Sequence, residues 1–345
     1  MPVLRSALAS LALCFPLAIA ACGASDATGQ SVDDQPVFPY PLDDTLRFQD
    51  VQSKSTHNSY HVETPGNEVG DWHYSHVPLD RQLGEQGVRH IELDLHYNAT
   101  DAVFEVYHLK YLDEQSTCHL FTECLSVVKG WSDQHRAHQP IVIQLEPKDA
   151  VPDDIEAWFA ALHAEITSVW PMSRLITPAF VQGSHATLGE AIRQDGWPTL
   201  GRLRGRVMFT LDNSAEFRDA YTHGGQSLDG RLIFADSSPG DPYAAIAILN
   251  DPVGGAAAIA DALAAHMLVR TRADSSPADV LAGKGDHRAA ALASGAQFVS
   301  TDFPAPVPGV DYWLDIPGGT PSRCNPVTAP PECTSEAIED PKFVR

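Results

Sequence analysis

The chain reads as an α/β protein built on a parallel sheet, and three observations lead there. Short β-type runs recur from Val51 to Ser300 in one unbroken array. Stretches with helical apolar spacing fall between them. No Gly-rich dinucleotide loop follows the first run, which removes the main reason to prefer a doubly wound sheet. Eight strand candidates in series predict a TIM-type (β/α)8 barrel with a short disulfide-closed C-terminal strap.

The elements follow in order. Residues 1–21 read as a signal peptide. Arg5 is the only charge before Asp26, and the apolar run from Ala7 to Ala21 is too short to span a bilayer comfortably. The box Ile19-Ala20-Ala21-Cys22 resembles a lipoprotein signal, with Cys22 as the acylated first residue of an exported, envelope-anchored protein. An ordinary secretory cut is the other reading. Residues 22–48 form a polar tether, 49–305 the barrel and 306–345 a Pro-rich strap.

Within the barrel the strand candidates are Val51–Ser59, Val88–Leu95, Val103–His108, Pro140–Glu146, Arg206–Leu211, Arg231–Phe234, Met267–Arg270 and Phe298–Ser300. Asp154–Val169 carries Ile155, Trp158, Phe159, Leu162 and Ile166 at helical spacing. Thr187 to Glu190 reads as a capping box opening a second helix. Gly255–His266 and Gly285–Ala293 are two more helix candidates. Cys118/Cys124 and Cys324/Cys333 form two local pairs, which in an exported chain predict the disulfides Cys118–Cys124 and Cys324–Cys333.

Composition excludes some partners. Lys and Arg number 23 against 45 Asp and Glu, a formal charge of −22. Nucleic acid and a polybasic grip on anionic lipid both need the opposite sign. No protein partner is implied, and a monomer is expected.

The polar residues gather at strand ends, where barrel enzymes place their sites. Side chains alternate faces along a strand, so His90, Glu92, Asp94 and His96 share the face that points into the barrel. Buried carboxylates are costly unless paired or bound to a cation. The first strand closes with His57-Asn58, the third with His108, the fourth with Glu146. Asn58, Glu92, Asp94 and Glu146 are hard oxygen donors, which suit Ca2+. That leaves His57 and His108 as acid, base or transition-state donors, a set fitted to attack on a phosphodiester.

Ser55–Tyr60 (STHNSY), Ile91–Asp94 (IELD), His108–Asp113 with Ser116-Thr117-Cys118, and Glu146–Asp149 carry a resemblance. Trp197–Leu200 with Leu203-Arg204-Gly205, Arg270–Asp274 and Ser300–Pro304 extend it. Together they resemble the bacterial Ca2+-dependent phosphatidylinositol-specific phospholipase C family over most of residues 49–305. The resemblance implies a phospholipid substrate at a membrane surface. It implies attack of the inositol 2-hydroxyl on phosphorus, expelling diacylglycerol and giving a cyclic inositol phosphate. It also makes Lys148 and Arg270 candidate substrate contacts. A glycerophosphodiester phosphodiesterase shares the barrel and a Glu-x-Asp pair, but usually opens with a His-Arg-Gly type motif where this chain has His57-Asn58-Ser59. A non-enzymatic, lipid-anchored surface binding protein is the reading of another class. The intact pair His57/His108 speaks against it.

Overall fold

A computed structural model describes residues 40–213, 215–319 and 321–344. The signal segment, Cys22 and most of the tether lie outside the described residues. Both expected disulfides, Cys118–Cys124 and Cys324–Cys333, are present. No helix among the described residues is long and apolar enough to cross a membrane.

Eleven strands form in chain order: β1 (Val51–Thr56), β2 (Val88–Asn98), β3 (Val103–Val106), β4 (Ile141–Pro147), β5 (Leu175–Ile176), β6 (Val207–Leu211), β7 (Phe234–Ala235), β8 (Ile246–Ile248), β9 (Leu268–Arg272), β10 (Phe298–Thr301) and β11 (Arg323–Cys324). The barrel ladder runs β8-β9-β10-β1-β2-β4-β6-β7, and the two-residue β5 lies parallel to the start of β6 outside that circuit. It closes on itself through a single parallel bridge from Asp236, after β7, to Ile246 of β8. The fold is an eight-stranded parallel barrel of the TIM type, as expected.

Its membership differs from the expected list in one place. Val103–His108 is not a barrel strand. β3 pairs antiparallel with β2, Leu95 opposite Val106 and Asn98 opposite Val103, so the two form a hairpin. The missing barrel member is β8, short and Ala-rich, which periodicity could not separate from a buried helix. Helix α1 (Leu79–Glu85) and the long helix α2 (Phe121–Gln134) also went unread, although Phe121, Leu125 and Val128 of α2 lie at helical spacing and are fully buried. Helix α3 (Ile155–Val169) forms as expected, with Asp154 accepting from the Ala157 amide at its start. Thr187 caps Leu188–Asp195 by accepting from the Glu190 amide, but Glu190 turns to the Ala186 amide, so the reciprocal half of the box is shifted by one residue.

The body also begins earlier than Gln49. Leu46 is fully buried, and Asp43 receives a two-pronged bond from Arg204 (Nη2 to Oδ1 2.6 Å, Nε to Oδ1 3.0 Å). The strap covers the end of the barrel where strands begin. β11 pairs antiparallel with the start of β1, and Glu339 meets Arg89 at 2.8 Å with both side chains fully buried. Arg89 thus lies on the outer face of β2, away from the carboxylates, as alternation requires.

Candidate active site

Alternation along β2 sends Ile91, Leu93 and Leu95 into the apolar core and Glu92 and Asp94 into the barrel. Registry sets Glu92 beside Gln144 and Asp94 beside Glu146 of β4. One strand further, Asp212 follows the end of β6, held by a 2.8 Å bond from Gln144 Nε2. Oxygens of Glu92, Glu146 and Asp212 all lie within 4.8 Å of one another. Asp212 was not read from the sequence as a site residue. It sits just past a fully buried strand, and only registry with β4 brings it to the cluster.

Asp94 is fully buried and neither of its oxygens accepts a hydrogen bond, though Lys148 Nζ stands 3.2 Å from Oδ2 as an ion-pair partner. Lys148 also donates to Glu146 at 2.7 Å. It does not pair with its neighbour Asp149, which accepts from the Tyr97 amide and from His96. Arg270, 1% exposed, gives Nη2 to Glu92 at 2.5 Å and to Ser300 at 3.2 Å, and Nη1 to Asn250. Its guanidinium is committed to Glu92 inside the barrel. Asn58 adopts φ +40°, a left-handed turn its short polar side chain tolerates, and its buried Oδ1 has no partner.

Four carboxylates thus face two cations. Burial, together with the Glu92 charge, pushes Asp212 up to about 7, and burial with Glu146 and Glu92 pushes Asp94 well above its ordinary value, against the pull of Lys148. The excess negative charge, the all-oxygen donors and the unpartnered Asn58 Oδ1 fit a divalent cation of the Ca2+ kind.

Two His–Asp pairs occupy the same end of the barrel. His57, at the end of β1, has Nδ1 2.7 Å from Asp302, which follows β10. Asp302 is in turn gripped by Arg272, which also reaches Asp274 at 2.8 Å. With Nδ1 bound to the carboxylate, neutral His57 keeps its lone pair on Nε2, 4.0 Å from Glu92. Burial, then the Arg272 charge, holds His57 well below its ordinary value, so the ring is neutral at pH 7.

His108 Nδ1 lies 3.0 Å from Asp113, five residues on. The chain between them folds back through paired Leu109 and Asp113 backbone bonds of 3.0 and 2.8 Å. Asp113 is buried and also accepts from His61 Nε2 at 2.9 Å. Burial pushes its carboxyl up, but the His108 and His61 contacts outweigh that and bring it down to about 2. The tip of the turn exposes Leu109, Tyr111 and Leu112, and Trp72 meets the His108 ring edge-on at 5.6 Å. Asp113 and Asp302 lie inside the segments that carry the family resemblance, but nothing in their spacing marks either as the partner of a histidine.

No curated protein matches the sequence. In fold the chain is similar to the calcium-dependent phosphoinositol-specific phospholipase C of a Gram-negative Pseudomonas species in its apo form (TM-score 0.57, 20% identity, covering 82% of this chain and 97% of that one). The same enzyme's myoinositol complex gives a TM-score of 0.58 at 19% identity, over 84% of this chain and 100% of that one. The Ca2+-dependent phosphatidylinositol-specific phospholipase C of Streptomyces antibioticus gives 0.56 at 21%, over 75% and 95%. The family described as phosphoinositide phospholipase C, Ca2+-dependent, matches residues 97–326, which includes His108 and Glu146 and begins after His57, Asn58, Glu92 and Asp94. That match spans two thirds of the sequence, and on it the chain belongs to the Ca2+-dependent phosphoinositide phospholipase C family of enzymes, with Ca2+ as cofactor.

Proposed function

We propose that this enzyme cleaves phosphatidylinositol-type lipids by attack of the inositol 2-hydroxyl on phosphorus. The products are diacylglycerol and a cyclic inositol phosphate. The observation that carries this reading is the pairing of each histidine with a carboxylate through Nδ1, at the barrel end that also holds the carboxylate cluster. His57, neutral and with its lone pair on Nε2, accepts the proton of the attacking hydroxyl as the new O–P bond forms. Asp302 stabilises the imidazolium that results. As the P–O bond to glycerol breaks, His108 in its imidazolium form, its Nδ1–H held by ionised Asp113, gives its Nε2 proton to the leaving alkoxide and is left neutral.

Glu92, Asp94, Glu146 and Asn58, joined by Asp212, would hold Ca2+. Bound there, it supplies positive charge to the phosphoryl oxygens and lowers the pKa of a hydroxyl it touches. Arg270 fixes Glu92, and Lys148 offsets part of the charge on Asp94 and Glu146. A lipid-borne substrate agrees with Leu109, Tyr111 and Leu112 exposed beside His108. The reading includes export and anchoring through Cys22, which Cys22→Ser should abolish, releasing or misprocessing the protein.

The deciding assay measures release of diacylglycerol against free glycerol phosphate from phosphatidylinositol and glycerophosphoinositol, with Ca2+ and with excess chelator. Ca2+-dependent diacylglycerol release is expected. Glycerol phosphate release alone points to a glycerophosphodiesterase, and full turnover in chelator sinks the metal assignment.

A further inference from the structure

The end of the barrel opposite the carboxylates holds a second, oppositely charged feature. Most of the described arginines have a carboxylate in ion-pair range, as a chain of charge −22 makes easy. Arg47, Arg136, Arg193, Arg202, Arg206 and Arg323 are exceptions, and of these Arg47, Arg202 and Arg206 lie close together where strands begin. Arg47 stands four residues ahead of β1, and Arg206 immediately ahead of β6. Arg202 belongs to the short helix Leu200–Leu203.

Arg202 and Arg206 share the ring of Phe180, with guanidinium carbons 5.4 and 4.9 Å from its centroid. The Arg202 guanidinium makes no hydrogen bond to any described residue, and the side chain is exposed. Arg206 reaches only the Leu175 carbonyl, at 3.4 Å, and Arg47 gives Nη1 to the Trp197 carbonyl at 2.8 Å. Phe180, Arg47 and Arg202 line a cavity of about 490 Å³, with Gly183, Thr199 and His185. The cavity's one carboxylate, Asp195, is taken by His185 Nε2 at 2.8 Å. Like charges held against one ring repel, and Arg202 and Arg174 both disfavour the charge on Arg206, after burial. A guanidinium cannot relieve this by losing its proton, so the positive charge stays and is open to an anion.

We propose that this cavity is an anion site for a phosphate group, distinct from the catalytic end of the barrel. Planar guanidinium forks match phosphate oxygens two at a time, and arginine, unlike lysine, also tolerates stacking on Phe180. The phosphate can come from a soluble phosphate or from a lipid head group. Because every residue involved lies at the strand-beginning end, binding there leaves the chemical step untouched.

The test uses the Ca2+-loaded enzyme at micromolar Ca2+, titrated calorimetrically with inorganic phosphate, and sedimentation with vesicles of phosphatidylglycerol against phosphatidylcholine. The variants are Arg202→Gln, Arg202→Lys and Arg202→Gln/Arg206→Gln. Wild type should bind one more phosphate equivalent than the double variant, or bind it at least tenfold tighter. Arg202→Lys should fall between, since it keeps the charge and loses the fork. Turnover of a soluble inositol phosphodiester should be unchanged in all. Loss of phosphate binding in the variants assigns a soluble anion. Loss of phosphatidylglycerol binding alone assigns a lipid head group. Identical behaviour of wild type and variants in both arms overturns the proposal. Should the double variant melt early because Phe180 loses its packing, exposed Arg202→Gln alone decides.

Discussion

The two His–Asp pairs look alike and are built differently. His57 and Asp302 come from opposite ends of the chain, 245 residues apart, and meet only because β1 and β10 are neighbours in the ladder, with Thr56 opposite Thr301. Arg272, from the next strand, clamps Asp302 from the other side. His108 and Asp113 are five residues apart on a surface turn whose own backbone bonds bring them together. One pair is fixed by the barrel, the other by a local loop. A base must hold its lone pair on the attacking hydroxyl, which favours a rigid frame. On the proposed roles, the acid sits on a loop with exposed apolar side chains.

The largest expected effect tests the barrel-built pair. Asp302→Asn should lower kcat/KM by roughly 10²–10⁴-fold on both the natural lipid and an inositol nitrophenyl phosphate, because both need the hydroxyl deprotonated. A loss confined to one substrate would break the assignment of His57 as base. Next, His108→Ala should cost a similar factor on the lipid, on the order of 10²–10⁴, and spare most activity on the nitrophenyl ester, whose leaving group is stable without a proton. Equal losses on the two would remove the distinction between the pairs.

The loop carries a further consequence. Tyr111→Ser with Leu112→Ser removes exposed apolar surface without touching His108. Activity on vesicles should fall about tenfold, since burying such side chains is worth about 1.5–3 kcal/mol each when complete, and activity on a soluble substrate should hold. Parallel losses would mean that the turn serves only to shape the His108 pair.

The smallest effect concerns acid. Asp113 is held at about 2 in the folded protein, below the ordinary carboxylate value. A depressed carboxyl contributes stability that is complete above the unfolded value and lost as pH falls through the folded one. The urea-unfolding stability gap between wild type and Asp113→Asn should therefore be full at pH 7 and close between roughly pH 4 and 2. A gap independent of pH would show that Asp113 acts through packing alone.

Much of this was legible in residue order. Alternation in Val88–Leu95 sends Glu92 and Asp94 inward and Arg89 outward, because the strand period is two whatever the neighbours are. The Cys118–Cys124 pair was readable because its loop is short. Long-range partners were not legible in the same way. Asp212 belongs with Glu92 and Glu146 only through the registry of β6 with β4. Arg270 points to Glu92 across 178 residues, where sequence allowed a substrate contact equally well. The role of Val103–Val106 turned on direction: the same β-type run serves as a barrel strand or as a hairpin partner, and the antiparallel pairing with β2 decides. Local periodicity fixes which way a side chain faces. Which carboxylate, cation or strand it then meets is set by how the barrel closes, a property of contacts between segments that no single segment encodes.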